Sequence, residues 1–165
     1  MSARQTGVDV GCWIDGRQPP AGGEEAFADE IISAGIRTAI IVLNVGVKPV
    51  YVPRWDPVKL ARLTGALQER GCEVQWMPWA AASKEAIDAQ MAGLAALLAH
   101  GSPDRISPDC EGHRAQDWNK SGVELAGYYA QKLTSLAGCP EKFGVTAIPP
   151  MAGIRPQDFA MMKAL

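Results

Sequence analysis

Two apolar periods alternate along the chain. Val8–Ile14 reads as a strand, and a Gly/Pro-rich stretch from Gly16 to Gly23 follows it. Glu24–Ala34 then spaces Phe27, Ile31 and Ala34 as one helical face before Gly35. Thr38–Asn44 is an unbroken apolar run, as in a strand buried on both faces. Asp56 and Pro57 mark a helix start, Leu60, Leu63 and Leu67 make its buried face, and Gly71 ends it. Glu73–Trp79 is the third strand. Ser83 caps a third helix whose stripe is Ile87, Met91, Leu94 and Leu98, with Gly101 beyond His100. Arg105–Glu111 reads as a fourth strand. Ser121 and Glu124 have the spacing of a capping box for a fourth helix, faced by Val123, Ala126, Ala130 and Leu133 and ended by Gly138. Lys142–Ile148 is a fifth strand, and Pro156 opens a last helical stretch.

The strands begin near positions 8, 38, 73, 105 and 143. A strand every 30 to 38 residues with a helix between is the βα repeat of a parallel sheet. The fold class is therefore α/β. Its 165 residues suit one domain, 1–165, with no linker or composition break to divide it. A closed eight-stranded barrel typically takes ~250 residues. The chain thus reads as about five βα units of an incomplete TIM-barrel-like fold, truncated or completed by a partner. The alternative is a flavodoxin-like open sheet binding a small ligand at its switch point. Strand order separates them: 2-1-3-4-5 for the open sheet, 1-2-3-4-5 for the barrel.

Composition adds exclusions. At 47% apolar and 21% charged, the chain is globular rather than disordered. Lys and Arg total 16 against 18 acids, with no adjacent basic pair, so the basic stripe of a nucleic-acid groove is missing. The first residues lack the apolar core of a signal peptide, and no run approaches the ~20 residues of a membrane span. The expectation is cytoplasmic synthesis, with release or virion association left open. Cys12, Cys72, Cys110 and Cys139 form no C-x-x-C pair and read as free thiols. No phosphate-binding glycine loop and no G-x-S-x-G elbow occurs.

Pro78, Pro108 and Pro149 fall near the ends of three strands, where proline stops regular pairing. The residues after them belong to the C-terminal face of the sheet, where parallel α/β folds bind ligands. Three acids are assigned to that face: Asp9 in the first strand, Asp109 and Glu111 in the fourth. In a regular strand Asp109 and Glu111 point the same way, with Cα atoms about 6.5 Å apart. Crowded carboxylates push at least one pKa upward, leaving one protonated acid beside one carboxylate, the pair that glycosidic cleavage uses. The same acids with His113 could instead hold a divalent metal. His113 stands beyond Gly112 in a polar loop, so no metal and no other cofactor is assigned. Trp13, Trp76, Trp79 and Trp118 fall at or just past strand ends, where an indole face can stack on a sugar ring. Trp55 reads as a loop anchor, and Tyr128 and Tyr129 as packing residues.

Gly7-Val8-Asp9-Val10, with Trp13 three residues on, resembles the first-strand signature of family 25 glycoside hydrolases, the lysozyme-type muramidases of phage endolysins and bacteria. Asp109-Cys110-Glu111 is similar to that family's D-x-E at the end of the fourth strand. The resemblance covers about residues 7 to 150. It implies a βα barrel cleaving peptidoglycan, with Glu111 as general acid and Asp9 and Asp109 in support. Departures are Gly11 in place of a serine, Trp76-Met77-Pro78-Trp79 in place of an aromatic-His-aromatic run, and no Tyr after Gly144-Val145. The alternative is a non-catalytic carbohydrate-binding or structural module of a phage particle or larger assembly. The expected partner is a polysaccharide, together with a second copy or another chain that completes the sheet.

Overall fold

The structure, a computed structural model, describes residues 11–15, 22–43, 55–110, 122–144 and 156–165. In chain order the elements are β1 (Gly11–Asp15), α1 (Glu24–Ser33), β2 (Thr38–Leu43), α2 (Pro57–Glu69), β3 (Glu73–Pro78), α3 (Lys84–Leu98), β4 (Arg105–Ile106), α4 (Val123–Thr134) and α5 (Pro156–Ala164).

Local chemistry sets the helix ends. The Asp56 carboxylate accepts from the Val58 and Lys59 amides, both at 3.0 Å, and Pro57 takes the first helical position, where a missing N–H costs nothing. Gly71, at φ 76°, turns the chain out of α2 into β3 in a backbone region closed to most side chains. Ser83 Oγ accepts from the Ala86 amide at 3.2 Å and starts α3. The N-cap of α4 is Gly122. Ser121 lies outside the described residues.

The four strands are parallel and lie in sequence order, β1-β2-β3-β4. Phe143 extends the series by a parallel bridge to Ile106. A flavodoxin-like sheet would place β1 between β2 and β3; here β2 pairs with both β1 and β3. The chain is an α/β protein of parallel βα repeats, and its described strands form one arc of a TIM-barrel-like sheet.

Alternation divides the sheet into two faces. Ile14, Ala39, Ile41, Leu43, Val74, Trp76, Ile106 and Cys110 share one buried core with residues of α1 to α4 and Met161 of α5. Met77 is also buried, yet stands apart from that core, on the opposite face. All helix packing within the core is therefore on one side of the sheet, as a barrel wall requires and a doubly wound sheet does not.

Two prolines shorten β4 relative to the expected Arg105–Glu111. Ser107 N donates to Trp76 O at 2.9 Å, Asp109 N to Pro78 O at 2.7 Å and Ala80 N to Asp109 O at 2.8 Å. The β3 donor between these is position 78, a proline, so the β3–β4 ladder is interrupted and resumes as a single bridge, Trp79 to Asp109. On the other edge Ile106 N donates to Lys142 O at 3.3 Å and Gly144 N to Ile106 O at 3.0 Å. The next β4 donor on that edge is position 108, also a proline.

The thiols are free, with Cys72 and Cys110 buried and Cys12 and Cys139 half-buried. Burial pushes Cys139 from 9.0 to about 11 and is the leading cause raising Cys12 and Cys72. It also holds the Tyr129 hydroxyl well above its ordinary value, with Cys110 adding in the same sense. In each case folding favours the neutral form, so the unfolded chain ionises first. The contribution of these groups to stability is expected to stay level below about pH 9 and to fall as pH rises from there toward 11. Thermal unfolding followed by circular dichroism checks this; a melting temperature unchanged up to pH 11 contradicts it.

No helix among the described residues is long and apolar enough to cross a membrane.

Candidate functional site

The face turned away from the helices carries a polar layer low on the sheet. Gln75 Nε2 donates to Glu73 Oε1 at 3.4 Å, Ser107 Oγ donates to Gln75 Oε1 at 3.4 Å, and Arg105 Nη2 lies 3.3 Å from Glu73 Oε1. Gly144 backs onto this layer so closely that a Cβ there would stand 2.6 Å from Ser107 Oγ. Beside the layer, Ile40 and Val42 of β2 are half-buried and Trp13 of β1 is 58% exposed.

At the C-terminal ends the strands present an acid and an aromatic together. Trp79 and Asp109 are bridge partners in the same register that pairs Gln75 with Arg105, so both continue the helix-free face. The Trp79 side is 51% exposed, while Asp109 is buried at 6%. Asp109 is held through both its main-chain groups, N to Pro78 and O to Ala80. Gln90 of α3, itself fully buried, donates its Nε2 to the Trp79 carbonyl oxygen.

The expected tryptophans divide. Among the described residues Trp13 and Trp79 are the exposed pair. Trp13 is in register with Ile40 and, through it, Gln75. That places Trp79 about 13 Å further along the strands and about 10 Å across them. The two cannot stack on one sugar ring but can grip separate units of a chain. Trp76 does not belong with them. It has no exposure, lies on the helix side, and its Nε1 donates to Thr64 Oγ1 at 3.1 Å. The register puts it on the same face as Val74 and Ile41, which is the core face. Trp55 is an anchor as expected, its Nε1 donating to Val42 O at 3.2 Å. Tyr129 is fully buried, and the Tyr128 hydroxyl donates to the Asp88 carboxylate at 2.8 Å.

Asp9, Glu111, Trp118 and His113 lie outside the described residues. Of the expected acids, Asp109 alone is described. Among the described residues no three His, Cys, Asp or Glu side chains group as a metal site. Two residues went unassigned in the sequence. Asp15 closes β1 with its Cα opposite Val42, so an acid does stand at the C-terminal end of that strand. The apolar run ends at Ile14, and the strand extends one residue further. Gln90 carries no sequence signal beyond being one polar residue among apolar ones in α3.

No protein-family model matches the chain, and no curated protein matches it. Among solved structures, the crystal structure of GH5_18 from Streptomyces cattleya in complex with GlcNAc superposes with a TM-score of 0.49 at 15% identity, over 74% of this chain and 38% of that one. The chain thus spans well under half the length of that protein. Strand order and register carry the fold assignment independently of this superposition.

Proposed function

We propose that this chain is a glycoside-hydrolase-like domain that grips a polysaccharide across the C-terminal ends of its strands. The supporting observation is the pairing of buried Asp109 with exposed Trp79 at the end of β3 and β4. A flat indole beside a carboxyl on the neighbouring strand matches a sugar unit, which offers an apolar ring face and a rim of hydroxyl donors. Glu111, next but one to Asp109, protonates the leaving oxygen, and Asp109 or Asp9 stabilises the oxocarbenium-like state or activates water. Peptidoglycan is the substrate suggested by the family 25 resemblance.

One observation favours a second reading, binding without cleavage. Trp13 and Trp79 are open to ligand, while the described acid is almost closed off. Incubating the wild-type chain with peptidoglycan and with chitooligosaccharides separates the two. Release of reducing ends supports the hydrolase; saturable binding by calorimetry without release supports the binding module. Trp79→Ala is expected to weaken binding about tenfold, the equivalent of ~1.4 kcal/mol of lost stacking and burial. Absence of binding to any glycan overturns both readings.

A further inference from the structure

Gln90 lies in the buried stripe of α3, between Ile87 and Leu94 and next to Met91, with no exposure. A carboxamide buried there is costly unless its groups are bonded, and an aliphatic residue would fill the space without that cost. What Gln90 supplies is a donor to the Trp79 carbonyl.

The β3 carbonyls alternate between its two neighbouring strands. Along β3 the carbonyls of Val74, Trp76 and Pro78 turn toward β4, meeting Asp104, Ser107 and Asp109. Those of the alternate residues turn toward β2. The last described residue of β2, Leu43, pairs with Pro78. The Trp79 carbonyl, one of these alternate groups, accepts from the Gln90 amide. The segment from Pro78 to Ala80 is tied to Asp109 on one side and to α3 on the other.

We propose that Gln90 is a positioning residue for this site, fixing the Trp79 peptide so that the exposed indole and the Asp109 carboxyl keep one relation to each other. Its effect on glycan binding rests on the reading of Trp79 and Asp109 given above; its effect on the strand end does not. Gln90 acts on the site through the Trp79 carbonyl.

The test uses the full chain labelled with 5-fluorotryptophan, whose five tryptophans give separate fluorine signals. The Trp79 signal is assigned with Trp79→Phe. Gln90→Met keeps the volume and removes the donor, and Gln90→Leu does the same with a different shape. The expected result is a retained fold, a Trp79 signal that shifts or broadens while that of buried Trp76 stays in place, and an Ala80 amide that exchanges about tenfold faster as its bond to Asp109 loosens. Glycan affinity then falls with the Trp79 change. If the wild-type chain binds no glycan, the fluorine signal and the Ala80 exchange still decide the role of Gln90. A folded variant with both readouts unchanged overturns the proposal. Global unfolding of both variants overturns it too, since Gln90 would then be a general stability residue.

Discussion

Glu111→Gln is expected to lower glycan turnover about a thousandfold, the scale of a lost general acid, with melting temperature and circular dichroism unchanged. The amide keeps the shape of the side chain and removes the proton that the leaving oxygen needs. Asp109→Asn tests the other half of the pair. Its main chain stays fixed by Pro78 and Ala80, so the substitution changes charge rather than position. Turnover is expected to fall there as well, while Trp79 continues to bind. Reducing-end release measured beside binding distinguishes the two effects. Full activity of Glu111→Gln sinks the assignment of the acid, and with it the use made of D-x-E.

Trp76→Ala carries the largest expected cost in stability, about 3–5 kcal/mol from the lost indole and the cavity left behind. The indole has no exposure and packs in the core shared with α2 and α3. The substitution also strips Thr64, 1% exposed, of the donor that meets its hydroxyl. A domain of this size is stable by roughly 5–15 kcal/mol, so a large share of the total is at stake. Urea unfolding at constant slope measures it. Trp76→Phe with Thr64→Val should recover much of the loss, because it removes the stranded hydroxyl along with the N–H that served it. A near-neutral Trp76→Ala would return Trp76 to the ligand-facing set.

The helices were legible because their punctuation is local. Asp56 with Pro57, Ser83, and the glycines at 35, 71 and 138 act within a few residues of themselves. The parallel βα order was legible from spacing. Which tryptophan faces a ligand was not. Glu73–Trp79 is apolar at both parities near its end, and only pairing with β2 reveals that Trp76 shares a face with Ile41. The extent of β4 also escaped, because the interruption comes from Pro78 on its neighbour as much as from Pro108 within it. Asp15 gives no such signal, because the apolar run ends at Ile14 and β1 extends one residue past it. Gln90 is silent in the sequence because its burial and its partner arise from α3 meeting a strand end 11 residues back in the chain.

The polar layer of Glu73, Gln75, Arg105 and Ser107 has a consequence for assembly of the sheet. With two residues, β4 has too short a ladder to fix its own alignment. A slip of one position would turn the Arg105 guanidinium into the aliphatic helix side and pull Ile106 out of it. The Glu73 carboxylate, 3.3 Å from Arg105, and the Gln75 amide, shared with Ser107, reward one alignment and penalise its neighbours. These four side chains therefore act as a key during folding, admitting the shortest strand to the sheet in a single setting.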